Sequence, residues 1–501
     1  MRRVLIANRG EISVRIIRAC RERGLETVAI FSDPDREAPH VLAADYAMHV
    51  GPAAASASYL NVPAILAAAA ESGADAVHPG YGFLSENAEF ADACAKAGLI
   101  FIGPPAAVIA RMGSKTAARA AAVSAGVPVV PGVVPADQSP AAIADAVRRV
   151  GFPALIKAAA GGGGKGMRIV RHNDEVAEAV ESASREATRA FADGAVYVER
   201  LIDKPRHIEV QVLGDQHGHV VHLFERDCSL QRRHQKVIEE TPAPALAPSV
   251  RAAITAAAVA AAGAVGYVNA GTVEFILEGH GEDARFYFLE MNTRLQVEHP
   301  VTELVTGRDL VHAQLRVASG EPLWFTQADV TQRGHAIECR VYAEDASRGL
   351  LPQSGRLLRY VEPSGPGVRV DSGVREGQVI GVDYDPMLAK LIVHAETREA
   401  AIARMTEALK AFAILGVRHN VPFLLALITL PEVRMQDTRE YRVDTGLIER
   451  RLADLSSPPD DAVRAAAEAV GKLVQGTNSA RAQGPSGAAI RADDPWETIV
   501  W

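Results

Sequence analysis

Across the first 103 or so residues, short apolar runs alternate with helical stretches, and this alternation constrains the fold more than any other feature. Val4–Ala7, Thr27–Phe31, Tyr46–Val50, Ala76–His78 and Leu99–Ile102 read as buried strands, with helical patterns at Ile12–Arg23, Pro63–Ser72 and Ala88–Ala97 between them. Strands joined through helices run parallel, so a sheet of βαβ units is expected here. A second unit, over roughly residues 130 to 203, holds strands Ala154–Ala158, Met167–Arg171 and Val196–Glu199, a glycine run and a helix Asn173–Phe191. Residues 204 to about 450 read as a larger mixed unit, with strands His207–Leu213, Val220–Glu225, Gly271–Leu277 and Arg285–Met291 and a strand-rich portion from 335 to 395.

At 501 residues the chain is too long for one ordinary domain of roughly 100–200 residues, and three or four units are expected. A net charge of −8 argues against general nucleic-acid binding, which needs a basic surface. The four cysteines, Cys20, Cys94, Cys228 and Cys339, form no CxxC pair, which fits a reducing compartment rather than zinc or disulfides. The first apolar run is too short for a signal peptide. The Ala252–Val268 stretch, interrupted by Thr255, Gly263 and Gly266, reads as a packed helix rather than a membrane span. A soluble, cytoplasmic protein is expected. After Leu455 the chain turns rich in Ala, Gly, Pro and Ser and is expected to be a flexible linker. It ends in an apolar tip, Trp496–Trp501, that either docks on a partner or folds back on the chain.

The first chemical signal is the run Gly161–Gly166 with Lys165 inside it. Consecutive glycines can turn backbone N–H groups toward an anion with no Cβ in the way. Lys165 is followed by Gly166 rather than Ser or Thr, and by a strand rather than a helix, so this is not a Walker A loop. It reads as a hairpin lid over a nucleotide or as a plain flexible turn. Lys157, near the end of the preceding strand, is placed for phosphate oxygens.

The second signal is a pair of acids, Glu274 and Glu290, on two apolar strands joined by a loop centred near Glu282. Antiparallel pairing about that centre puts the carboxylates directly opposite each other, with Cβ atoms about 4.5–5.5 Å apart. Two like charges that close need a cation, or one must take a proton. Glu274, Glu290 and Asn292 offer oxygen ligands for Mg²⁺ or Mn²⁺, although a solvated hairpin would show the same pattern. By the period of two, Phe286, Phe288, Glu290 and Asn292 are expected on one face.

Beyond Asn292, an extended stretch puts Arg294, Gln296 and Glu298 on the same side, suited to holding and deprotonating a small oxyanion. Upstream, Gln231–Lys236 is a basic cluster that reads equally as a solvated loop.

These motifs occur together with Asn8–Ile12, His78–Asn87, Arg206–Gln211 and Glu290–Pro300, in the order found in biotin carboxylases, and the chain resembles that family over residues 1 to about 448. The resemblance implies an α/β ATP-grasp fold with a Rossmann-like N-terminal domain (1–113), a mobile ATP-lid domain (114–203), a catalytic core (204–330) and a C-terminal domain (331–450), followed by the linker and tip (451–501). It also implies a two-step reaction, in which ATP phosphorylates bicarbonate to carboxyphosphate and the carboxyl group then passes to the ureido nitrogen of biotin.

By motif match, Lys115, Lys157, Gly163 and Gly164 contact ATP phosphates, and Glu199, Arg200, Leu201 and Ile202 border the adenine. His207, Gln231 and His234 line the nucleotide site, where Glu274 and Glu290 also meet ATP, and Glu274, Glu290 and Asn292 hold the metals, with two ions expected. Lys236, Arg294, Gln296 and Val297 hold bicarbonate, Glu298 is its base, and Arg340 and Tyr81 meet biotin, with Arg340 stabilising its enolate.

Arg200 stands where many members carry Lys, which matters little if main-chain groups recognise adenine. No Met-Lys-Met-like attachment site occurs, so a separate biotin carboxyl carrier protein and carboxyltransferase are expected partners, with the chain a homodimer. The expected setting is an acetyl- or propionyl-CoA type carboxylase and fatty acid biosynthesis. The alternatives are a pyruvate-type carboxylase, another acyl-phosphate ATP-grasp ligase, or a non-catalytic ATP-binding regulator.

Overall fold

The computed structural model describes residues 1–159, 167–191, 194–435 and 441–456. The glycine run with Gly163 and Gly164, and the tail with its Trp496–Trp501 tip, lie outside these residues. At the N-terminus, strands β1 (Arg3–Ile6), β2 (Glu26–Ser32), β3 (Tyr46–Gly51), β4 (Ala76–His78) and β5 (Ile100–Phe101) form a parallel sheet in the order β3-β2-β1-β4-β5. The chain reverses direction across the sheet between β1 and β4, the place where open α/β sheets form a crevice at their carboxyl ends. Here the Asn8 amide donates to the carbonyls of Pro79 (2.7 Å) and Tyr81 (2.8 Å), so the two strand exits are tied together. Helix α1 (Gly10–Glu22) starts directly after β1 and carries Glu11 in its first turn.

The second sheet is antiparallel, in the order β6-β9-β7-β8, from β6 (Gly132–Val133), β7 (Ala154–Ala158), β8 (Arg168–Val170) and β9 (Val196–Arg200). Strands β7 and β8 pair with Leu155 opposite Ile169, so the segments flanking the glycine run form a hairpin as expected. The expected helix at Asn173 opens instead as a 3₁₀ turn, Asn173–Glu175, capped reciprocally by His172 and Glu175, before the α-helix Val176–Phe191.

An eight-stranded sheet forms the centre. Its strands are β10 (Arg206–Gly214), β11 (Val220–Arg232), β12 (Gln235–Thr241), β13 (Asn269–Glu278), β14 (Arg285–Asn292), β15 (His335–Tyr342), β16 (Val368–Ser372) and β17 (Met387–Ala395). They run in the order β14-β13-β10-β11-β12-β15-β17-β16. The expected strand ending at Glu225 therefore continues to Arg232, and the basic cluster is a tight hairpin rather than a loop. Arg233 and His234 turn it with φ of 48° and 65°, the left-handed geometry of a two-residue turn whose twist matches its strands. Helix α2 (His299–Thr306) begins immediately after Glu298 and packs on this sheet.

Candidate active site

One row of residues across the central sheet organises the site. Glu290 on β14 lies opposite Glu274 on β13, Glu274 opposite Glu209 on β10, and Glu209 opposite Arg226 on β11. Directly paired residues share a face, so three carboxylates and a guanidinium point the same way. The Glu274–Glu290 register is the one expected from the sequence. The expected face of β14 is not. The pairing slips by one residue beside Glu274, so that Phe275 pairs with Phe288 while Glu274 pairs with Glu290. Glu274 and Phe275 are consecutive and point oppositely, so Phe288 and Glu290 do too. Phe286, Phe288 and Met291 join the core against Phe275, whereas Leu289, Glu290 and Asn292 face a cleft of about 1050 Å³. A bulge of this kind breaks the period of two and re-aims a side chain.

The cleft brings together Lys115, Lys157, Glu199, Arg200, Leu201, Ile202, His207, Gln231, His234, Lys236, Glu274, Glu290, Asn292, Arg294, Gln296, Val297, Glu298 and Arg340. Val297 lines it beside Gln296 and Glu298 because the chain turns there instead of staying extended. Tyr81 does not line it; its hydroxyl donates to Glu11. At one end Val130, Ile202 and Ile276 give the cleft an apolar wall, a surface for a flat ring. Beside it Arg200 donates two hydrogen bonds to Glu278 (2.8 and 2.9 Å), and Lys157 donates to Glu199 (2.9 Å). Burial and the nearby Lys157 charge push the Lys115 ammonium down. An ammonium disfavoured by burial and a neighbouring cation is what a polyphosphate would relieve.

At the other end the Lys236 ammonium bridges three carboxylates, Glu209, Glu274 (2.8 Å) and Glu298 (2.7 Å). Glu298, 1% exposed, also accepts from Arg340 at 3.0 Å. Burial alone would raise the Glu298 carboxyl, but Lys236, Arg340 and Arg226 hold it well below the usual carboxylate range. It is therefore an ionised proton acceptor at neutral pH. Arg226, fully buried, bonds Glu209, Gln211, Thr272, Gln296 and Thr302 and fixes the row from behind. Gln296 in turn donates to Glu274 at 2.9 Å. Arg294 is held over the cleft by Glu86 (2.9 Å) and Asn292 (3.0 Å).

The acid pair is electrostatically split. Against the effect of burial, Lys236 and His207 keep Glu274 well below the usual range. Burial and the Glu274 charge push Glu290 up. The Asn292 amide nitrogen is buried without a partner. An acid forced upward by its neighbour, next to an amide and a second carboxylate, fits a hard divalent cation with oxygen ligands. His207, Glu209 and Glu274 also converge within 4.8 Å, but Glu209 is already paired with both Arg226 and Lys236.

Glu86, Arg226 and Glu239 were not singled out from the sequence. Arg340 donates to Glu239 at 2.6 Å, and Glu239 is pushed up to about 7 by burial, against the Arg340 charge.

Family comparison agrees with this geometry. Residues 1–109 match the family model for the biotin carboxylase N-terminal domain, and residues 338–450 that for the biotin carboxylase C-terminal domain. Residues 114–326 match the ATP-binding domain of the carbamoyl-phosphate synthase L chain. The chain belongs to the biotin carboxylase family. Biotin carboxylase 1 of Bacillus subtilis is 50% identical over 428 residues, 85% of this chain and 95% of that protein. The mitochondrial methylcrotonoyl-CoA carboxylase subunit alpha of Mus musculus is 51% identical over 431 residues, 86% of this chain. The chain spans about three-fifths of that relative's length (60%). Among solved structures, the Campylobacter jejuni biotin carboxylase–β-γ-ATP complex matches with a TM-score of 0.85 at 43% identity, covering 90% of this chain and 98% of that one. The biotin carboxylase domain dimer of Hydrogenobacter thermophilus 2-oxoglutarate carboxylase, with MgADP and bicarbonate, gives 0.86 at 43% identity, covering 92% and 99%. The ATP-grasp fold and ligase class follow from membership. Among the described residues no helix is long and apolar enough to cross a membrane.

Proposed function

We propose that this chain carries out the biotin carboxylase half-reaction, with ATP, bicarbonate and biotin as substrates and the biotin borne on a carrier outside these 501 residues. The observation that carries this reading is Glu298, held ionised between Lys236 and Arg340 in the same cleft as the Glu274–Glu290 pair. A protein that only bound nucleotide would have no use for a buried base there. Lys115 and Lys157, with the glycine run, take the phosphates, and Glu199, Arg200, Leu201 and Ile202 border the adenine. Glu274, Glu290 and Asn292 would hold Mg²⁺ or Mn²⁺, which neutralises phosphate charge during phosphoryl transfer. Lys236, Arg294 and Gln296 hold bicarbonate, and Glu298 removes its proton as its oxygen attacks the γ-phosphorus and ADP leaves. Carboxyphosphate results, shielded from water by lid closure. The carboxyl group then passes to the biotin ureido nitrogen while phosphate leaves and takes up the ureido proton, with Arg340 in the same cleft to stabilise the enolate.

The acceptor is proposed to be an acyl-CoA, a reading supported by relatives named methylcrotonoyl-CoA and propionyl-CoA carboxylase subunits. The domain division at 113, 203, 330 and 450 and the homodimer belong to the same proposal. The test is transfer of label from bicarbonate to free biotin by the purified chain with ATP and Mg²⁺. Label in carboxybiotin that requires both supports the reading. ATP cleavage with no labelled biotin contradicts it.

A further inference from the structure

Lys390 lies behind the cleft, in the middle of β17, where its neighbours Leu388, Ala389, Leu391 and Ile392 are ordinary core residues. Packing does not call for a lysine here, and an ammonium removed from water is costly unless it is paired. Its side chain is 0% exposed. It donates to the Val297 carbonyl at 2.8 Å, and lies 3.1 Å from Glu11 and 3.9 Å from Asp371. Across the sheet it pairs directly with Arg340 on β15 and Asp371 on β16.

Two routes lead from this cation to the reacting groups. Val297 stands between Gln296 and Glu298, so holding its carbonyl fixes the turn that presents both. Asp371 is gripped by Arg369 (2.9 and 2.6 Å), which also reaches Glu303 at 2.7 Å on α2. The helix that opens after Glu298 is thus anchored at its entry and again one turn along. On the other side, Glu11 accepts from the Tyr81 hydroxyl, which links the same charge to the N-terminal sheet.

We propose that Lys390 is a positioning residue for bicarbonate, its buried ammonium holding the Val297 carbonyl and so the Gln296–Glu298 turn, while Glu11 and Asp371 hold the ammonium in place. This rests on the carboxylase reading above. The test is steady-state kinetics of the full chain with MgATP, bicarbonate and free biotin. Lys390→Met should raise the bicarbonate KM by about tenfold to a hundredfold, the effect of one lost charge-assisted hydrogen bond, with the ATP KM within about twofold. Lys390→Arg keeps a charged donor and should recover much of the bicarbonate affinity. Glu11→Gln covers the case in which the methionine variant does not fold. It weakens the ion pair that holds the ammonium on the Val297 carbonyl, so the bicarbonate KM should rise at least about threefold with the ATP KM within about twofold.

A bicarbonate KM that stays at the wild-type value in Lys390→Met, or ATP and bicarbonate KM values that rise together, overturns the positioning role alone. So does a Glu11→Gln variant in which the bicarbonate KM does not move. Wild type without bicarbonate-dependent turnover overturns the carboxylase reading, and this proposal with it.

Discussion

Glu298→Gln removes one negative charge and one proton acceptor while preserving shape. In the native site one Glu298 oxygen accepts from Lys236 at 2.7 Å and the other from Arg340 at 3.0 Å. A glutamine can offer its carbonyl to only one of these cations and must turn its NH₂ toward the other. Loss of a general base costs about 10²–10⁴ in rate, or roughly 2.7–5.4 kcal/mol of barrier at 1.36 kcal/mol per tenfold. The lost charge-assisted bond acts in the same direction on bicarbonate binding. The apolar adenine wall and Lys157 make no contact with Glu298, so ATP affinity by calorimetry should stay within about threefold, well under the effect of one charged hydrogen bond. The assay is bicarbonate-dependent ADP release with and without biotin, beside a calorimetric titration of MgATP. Turnover within about threefold of wild type would refute the assignment of Glu298 as base.

Three further outcomes are expected. Arg340→Ala should lower carboxybiotin formation far more than bicarbonate-dependent ATP cleavage; equal losses in both assays would mean that Arg340 serves the first step or the fold. Glu290→Gln should raise the Mg²⁺ concentration needed for half-maximal ATP cleavage by about tenfold, as expected for losing one charged ligand, and an unchanged Mg²⁺ requirement would remove Glu290 from the metal set. Glu240 points from β12 away from its neighbour Glu239 and from this chemistry; against burial, Arg398 and His335 hold its carboxyl down to about 2 from an ordinary 4.5. A depressed carboxyl stabilises the fold above its unfolded value and loses that contribution as pH falls toward its folded one. Urea midpoints of the wild type should therefore fall between pH 4.5 and 2, and Glu240→Gln should remove up to about 3 kcal/mol of that pH-dependent loss.

Much of the site was legible because its residues sit on elements with a strong period. Two apolar strands about a short loop placed Glu274 opposite Glu290 before any coordinates, and the parallel N-terminal sheet followed from apolar runs separated by helices. The face of β14 was misread because a bulge beside Leu289 leaves no mark in a row of apolar residues. The hairpin at Arg233-His234 was hidden because both residues adopt left-handed geometry without the usual Asn or Gly. Arg226, Glu239 and Lys390 were missed for another reason. Arg226 and Glu239 stand beside other charges and Lys390 alone in an apolar run; both patterns resemble a solvated edge, and only the strand order β13-β10-β11-β12-β15-β17 reveals that these positions are central.

The account turns on which oxygen attacks the γ-phosphorus. Turnover of the purified chain with ¹⁸O-bicarbonate in unlabelled water, with mass analysis of the released phosphate, asks this directly. A bicarbonate oxyanion activated by Glu298 leaves one ¹⁸O in each phosphate. Phosphate carrying no ¹⁸O would mean that water is the nucleophile, and the cleft would then be an ATPase site rather than a carboxylating one.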